Sequence, residues 1–298
     1  MFHRRRNSFK RSRRRRSRGG FPWRNLLLIL LAAAFVYFAV RLAIYGAHSA
    51  DNRRTNAELN SLYEAPVVGE GRSSTAAEET AAPQTTEASA ADQPQRPATY
   101  QFIGGEITPS AEALYEINPD LVAWLEIPDI LRLPVVYRDN SYYLTHDFYG
   151  RESDAGTLFL DVNHPLKARN QYLIIHGHNM YDASMFGKLT HYRKKDFLAT
   201  HPTLTLTTLY SKDTYEIVGS LYVEEADMVD IAGLGRPRFA DTADFNRFIE
   251  TFRSRAIYFT DAEIPPDTAL LALATCHESG RMVVLFRRTS ATPLVPSA

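Results

Sequence analysis

Cysteine is almost absent from this chain: 298 residues hold one, Cys276. An internal disulfide is therefore excluded, and the thiol is either buried filler or chemically used. Acidic residues are absent from the first fifty positions, which carry 12 Lys and Arg and no Asp or Glu. Large apolar residues are scarce over 51–100, where runs such as Thr75-Ala-Ala-Glu-Glu-Thr-Ala-Ala-Pro recur. Such a composition cannot bury enough surface to fold, and a flexible stalk is expected there. No internal repeat is visible, which sets aside repeat architectures.

The net charge of zero is a sum of unlike parts. Residues 51–100 hold 4 basic against 8 acidic side chains, and residues 101–298 hold 18 against 26. The basic block is thus a property of the N-terminus, and no nucleic-acid partner is expected for the folded part. The block leads directly into Leu26-Leu-Leu-Ile-Leu-Leu-Ala-Ala-Ala-Phe-Val-Tyr-Phe-Ala-Val40, continuing through Arg41 to about Ala47. Roughly 20 residues at about 1.5 Å each span a hydrocarbon core of about 30 Å. Trp23 and Tyr45 are placed as interfacial anchors, and Arg41 can snorkel to the headgroups. Positive charge lies wholly before this run, so the N-terminus is expected in the cytoplasm and the remainder outside. The expected layout is a basic cytoplasmic segment over 1–24, a retained membrane anchor over 25–47, a disordered stalk over 48–100 and one folded domain over 101–298. Ala47-His-Ser49 offers a rival small-x-small cleavage site for a signal peptide.

From about Tyr100 the chain reads as globular. Short apolar, β-branched runs dominate: Leu121–Ile127, Leu133–Tyr137, Thr157–Leu160, Tyr172–Ile175, Leu204–Leu209, Thr214–Leu221, Ala269–Ala274 and Met282–Phe286. Their spacing predicts a mostly β barrel or sandwich. Two segments read as helices, Ser110–Ile117 and the stretch opened by the capping residue Asp241. In the second, Phe245, Phe248, Ile249 and Phe252 form one apolar stripe at helical spacing, which is core packing.

Two of the runs end in reactive side chains. Tyr172-Leu-Ile-Ile-His-Gly-His178 ends in histidine, and Ala269-Leu-Leu-Ala-Leu-Ala-Thr-Cys276 ends in the lone thiol. A thiol and an imidazole so placed are the ingredients of a cysteine nucleophile. Arg281 follows, ahead of Met282-Val-Val-Leu-Phe286. His176, His178 and Cys276 could instead ligate zinc. A non-enzymatic tethered module with a buried Cys276 is the third reading.

An ordered set of motifs resembles the sortases, membrane-anchored cysteine transpeptidases of Gram-positive cell surfaces, and within them class B. It consists of Asn118-Pro-Asp-Leu-Val-Ala-Trp-Leu-Glu-Ile-Pro128, Leu133-Pro-Val-Val136, Asp139-Asn-Ser-Tyr-Tyr-Leu-Thr-His-Asp-Phe-Tyr-Gly150, Ala155-Gly-Thr-Leu-Phe-Leu-Asp161, His176-Gly-His-Asn-Met180, Ser184-Met-Phe-Gly-Lys-Leu189, Leu273-Ala-Thr-Cys276 and Arg281-Met-Val-Val284. The resemblance implies a closed β-barrel of about eight strands with added helices. It implies Cys276 as nucleophile, His178 rather than His176 as the histidine, Arg281 as the arginine, and Thr275 and Asn179 as substrate contacts. It implies no metal and no cofactor. The implied partners are secreted proteins with a C-terminal sorting signal and an amine acceptor from cell-wall precursor or pilin, with the enzyme a monomer. Two departures stand out. Ala272 and Ala274 occupy positions where the family usually has Thr and a small hydroxyl residue, and the loop His277-Glu-Ser-Gly280 is short for class B. Pilus-building members commonly carry a lid and a second C-terminal span. Thr289–Ala298 has no span, so anchoring rather than polymerisation is expected.

Overall fold

The computed structural model describes residues 23–64, 109–164, 171–209, 211–224, 233, 238–277 and 280–294. The chain forms two compact units, one ending at Ala47 and one beginning at His48. The first holds the apolar part of helix α1, Trp23–Glu64. By length and composition this helix is able to cross a membrane. Its large apolar side chains from Trp23 to Ile44 are exposed.

In the second unit the expected stalk does not begin at position 48. Residues 48–64 are the last part of α1, and Ser49, Asn52, Thr55 and Leu59 on it are buried. The spacing of these four keeps them on one helical face. Leu59 joins an apolar cluster with Leu114, Trp124, Tyr143 and Phe148, and Tyr63 stacks on Trp124 at 4.2 Å between ring centroids. The face escapes a hydropathy reading because three of its four buried residues are polar. The rest of the stalk expected over 48–100, from position 65 on, lies outside the described residues.

Helix α2 (Pro109–Ile117) packs its Ala111 and Leu114 into the same cluster. The strands follow: β1 (Leu121–Ile127), β2 (Leu131–Val136), β3 (Leu158–Leu160), β4 (Tyr172–Gly177), β5 (Thr203–Thr208), β6 (Ser211–Glu224), β7 (Tyr258–Phe259), β8 (Leu270–His277) and β9 (Gly280–Pro293). Their order in the sheet is β5-β1-β2-β3-β4-β8-β9-β6, and β6 pairs back to β5. That pairing closes an eight-stranded barrel, the expected fold. The two residues of β7 add to the edge of β6 outside the ring.

Strand alternation divides the apolar side chains into two layers. Leu125, Leu133, Leu158, Ile175, Leu206, Ile217, Leu271, Leu273, Val284 and Phe286 fill the barrel. Tyr172, Ile174, Leu221, Ala272, Ala274, Val283 and Leu285 face outward, beneath helix α4 (Thr242–Arg255). The shorter helix α3 spans Lys195–Thr200. The α4 stripe of Phe245, Phe248, Ile249 and Phe252 is buried as its spacing required. Asp241 caps α4 by accepting from the Asp244 N–H at 2.8 Å. Burying each such side chain is worth about 1.5–3 kcal/mol, so this outer layer holds one face of the sheet firmly while leaving its end open to chemistry.

Candidate active site

Strands β4 and β8 lie side by side and parallel, in register from Tyr172 beside Leu270 to Gly177 beside Thr275. Position 178, just past the end of β4, and position 276, on β8, come next. β9 returns antiparallel, and Arg281 is the direct register partner of Cys276. The three candidate residues therefore sit together at one end of the barrel, His178 just past β4 and the other two on β8 and β9. Arg287 and Arg288, further along β9, lie at the opposite end and are engaged there. Arg287 pairs with Glu216 at 2.7 Å, and Arg288 with Asp213 at 3.2 Å. A cavity of about 550 Å³, lined by Leu173, Leu206, Leu270 and Asp213 among others, occupies that far end.

His178 is half-buried, and two loops hold it. Its Nε2–H donates to the main-chain oxygen of Leu144 at 2.7 Å. Its own main-chain oxygen accepts from the Phe186 N–H at 2.9 Å. A carbonyl only accepts, so the Nε2 proton is committed, and Nδ1 remains as the ring atom able to exchange a proton. Between the two histidines stands Gly177. A Cβ there would lie 2.4 Å from a Leu158 methyl and 2.7 Å from the Phe186 ring, so the strand can pass this point only without a side chain.

His176, on β4, has a different partner. Its Nε2–H donates to Asp161 Oδ2 at 2.9 Å. Burial by itself pushes the Asp161 carboxyl up. The His176 bond, the Asn163 N–H and the imidazole charge outweigh it, holding the group well below the ordinary carboxylate range. Nearby, His164 is wholly buried with neither ring nitrogen hydrogen-bonded. Burial drives its pKa down to about 4, against the pull of Asp161. Among the described residues, no group of three or more His, Cys, Asp or Glu is gathered to hold a metal.

The two expected substrate contacts lie on either side of this frame. Asn179 forms an isolated bridge with Met185 and closes the loop that follows His178. Thr275 is fully buried, and its Oγ1 has no hydrogen-bond partner. Any part Thr275 takes in substrate binding thus falls to its backbone. Sequence reasoning missed the Leu144 carbonyl, a main-chain atom with no side-chain signature. It also missed the Asp161–His176 bond, for which the only signal was an acid closing the run Leu158-Phe-Leu-Asp161.

No protein-family model matches the chain. It is 31% identical over 189 residues to sortase B of Listeria monocytogenes, an alignment covering 61% of this chain and 75% of that protein. It is 25% identical over 175 residues to sortase B of Staphylococcus aureus, covering 58% and 70%. Among solved structures, sortase B from Bacillus anthracis in complex with AAEK2 superposes with a TM-score of 0.63 at 25% identity, covering 83% of this chain and 98% of that one.

Proposed function

The chain belongs to the sortase family, as a class B-like member, and on that premise we propose that it cuts the sorting signal of exported proteins and joins them to a cell-surface amine. The family is one of cysteine transpeptidases. The observation that carries the reading is the alignment of position 178, just past β4, with positions 276 on β8 and 281 on β9.

The reaction proceeds in two transfers. The Cys276 thiolate attacks the carbonyl carbon of the signal's threonine, and Arg281 faces the oxygen that gathers charge or holds the substrate backbone. The C–N bond breaks as His178 delivers a proton from Nδ1 to the leaving amine, leaving a thioester on Cys276. An acceptor amine then attacks the thioester carbon and gives its proton back to Nδ1, and the thiolate departs. Leu144 keeps the ring turned for both steps by holding Nε2. The acceptor is a cell-wall precursor or a pilin subunit.

The enzyme works outside the membrane. The basic segment 1–24 stays in the cytoplasm, 25–47 is the anchor, and the barrel that follows is extracellular, in accord with the one-sided charge of the N-terminus. The test is mass spectrometry of the protein incubated with a peptide library of sorting signals. An acyl adduct on Cys276, lost in Cys276→Ala with fold retained, is the expected result. Turnover surviving in Cys276→Ala would overturn the covalent mechanism.

A further inference from the structure

Residues 48–64 touch both loops that hold His178. The loop after it, 179–186, is bridged at Asn179 and Met185 and turns on Asp182, whose Oδ1 accepts from the Ser184 N–H at 3.1 Å and the Ser184 hydroxyl at 2.6 Å. Two non-glycine residues in it, Ala183 at φ 63° and Met185 at φ 49°, adopt the left-handed region. That region is disfavoured for side chains with a Cβ, so the conformation persists only where neighbours impose it. Beyond the loop's own backbone bonds, some of these neighbours are on α1. The Ser49 hydroxyl donates to Asp182 Oδ2, Arg53 lies 3.5 Å from the same oxygen, and Asn52 Nδ2 donates to the Ser184 hydroxyl at 3.1 Å.

The other loop runs from Tyr142 to Thr157 and contains Leu144. Arg151 ties it to the same helix, donating from Nη2 to the Thr55 hydroxyl at 3.0 Å and from Nε to Asp147 at 2.8 Å. Asp147 accepts the N–H groups of Tyr149 and Arg151, and the Ser153 N–H returns to the Thr145 oxygen at 2.9 Å. One helical face, Ser49, Asn52 and Thr55, thus fixes the two loops that set the position and the orientation of one imidazole.

We propose that this face of α1 is the positioning element of His178, with Asp182 and Thr55 as the residues through which it acts. Both act by keeping Nδ1 aimed while Nε2 stays on Leu144. The inference rests on the reading of His178 as the proton-transfer residue. A reacting group displaced by about 1 Å loses on the order of 10²-fold in rate, and binding need not change with it.

The full-length chain in detergent micelles, acting on a sorting-signal peptide, provides the test. Ser49→Ala, Asp182→Asn and Thr55→Val each remove one tie, while Thr55→Ser keeps the hydroxyl. We expect acylation kcat to fall about tenfold or more in the first three, with KM within about twofold and Thr55→Ser close to wild type, as for loss of aim rather than of binding. The pH limb of kcat/KM that reports His178 should move in the same variants. A lowered Tm with kcat and pH profile unchanged would make the contact merely structural and overturn the proposal. Thr55→Val covers the case in which Asp182→Asn does not fold. Pairing each variant with His178→Ala separates the two readings. An unchanged residual rate in that background supports positioning through His178, and a further loss of equal size refutes it. Full activity in His178→Ala alone would instead refute the proton-transfer role.

Discussion

Cys276 and Arg281 are direct cross-strand partners, joined by the short connection between β8 and β9. Partners in an antiparallel pair have Cα atoms about 4.5–5.5 Å apart, so the backbone alone brings positions 276 and 281 to one place.

Arg281→Lys keeps the charge but loses the planar fork of five donors. Acylation kcat should fall by roughly 10²–10³, with a smaller change in KM, as for other donors to a developing oxyanion. Arg287→Lys and Arg288→Lys should stay close to wild type, because those side chains are engaged with Glu216 and Asp213 at the other end of β9. Steady-state kinetics on the three variants decides it. A near-normal Arg281→Lys beside a crippled Arg287→Lys would move the role down the strand.

His178→Ala should reduce turnover nearly as far as loss of the thiol, and His176→Ala much less. Their hydrogen bonds differ. His178 is held by a main-chain oxygen that leaves Nδ1 for chemistry, while His176 is bound to a buried carboxylate. His176→Ala should show its effect in unfolding experiments instead, since it leaves Asp161 short of a donor at a cost of about 1–3 kcal/mol. Equal kinetic loss at both positions, restored by added zinc, would favour a metal-dependent hydrolase.

Much of this was legible from the residues. All eight strands of the closed ring appear as apolar, β-branched runs, and the α4 stripe and its Asp241 cap follow helical spacing. The neighbourhood of His178 and Cys276 could be guessed from motif order, whereas the parallel pairing of β4 with β8 required the sheet. What stayed hidden is carried by polar atoms. Ser49, Asn52 and Thr55 are buried by hydrogen bonding, which no apolar period announces, and the Leu144 oxygen belongs to the backbone. The two residues of β7 are too few to show any alternation.

Leu59→Ala tests the docking of residues 48–64 directly. Leu59 is 1% exposed, inside the cluster of Leu114, Trp124 and Phe148. Truncating a buried leucine typically costs about 2–5 kcal/mol. Urea unfolding should show a loss in that range. A change below about 0.5 kcal/mol would mean that the segment leaves the barrel readily in solution.

His164 should make the protein acid-sensitive well above the carboxylate range. Its folded pKa is lowered to about 4 from an ordinary value of 6.5. Between those values the unfolded chain takes up a proton that the native state refuses, so stability falls as pH drops from about 6.5 to 4. The loss between pH 7 and pH 5 should be about 2 kcal/mol. Asp161 acts in a separate window. Its depressed carboxyl adds stability that is fully present above about pH 4 and is lost only on further acidification. Denaturant midpoints at pH 7 and 5 for wild type and His164→Leu check the assignment. A wild-type acid limb as flat as the variant's would rule it out.

β8 and β9 are the last strands in the chain, yet in the sheet they stand between β4 and β6. A growing polypeptide therefore cannot close this ring until β8 and β9 have been made and take their places between β4 and β6. Contacts so distant in sequence form slowly. The partly made molecule has the loops around His178 but lacks β8, the strand that neighbours β4 in the finished sheet. A chain cut short after Thr260 should for the same reason have no fraction of the activity, rather than a reduced share of it.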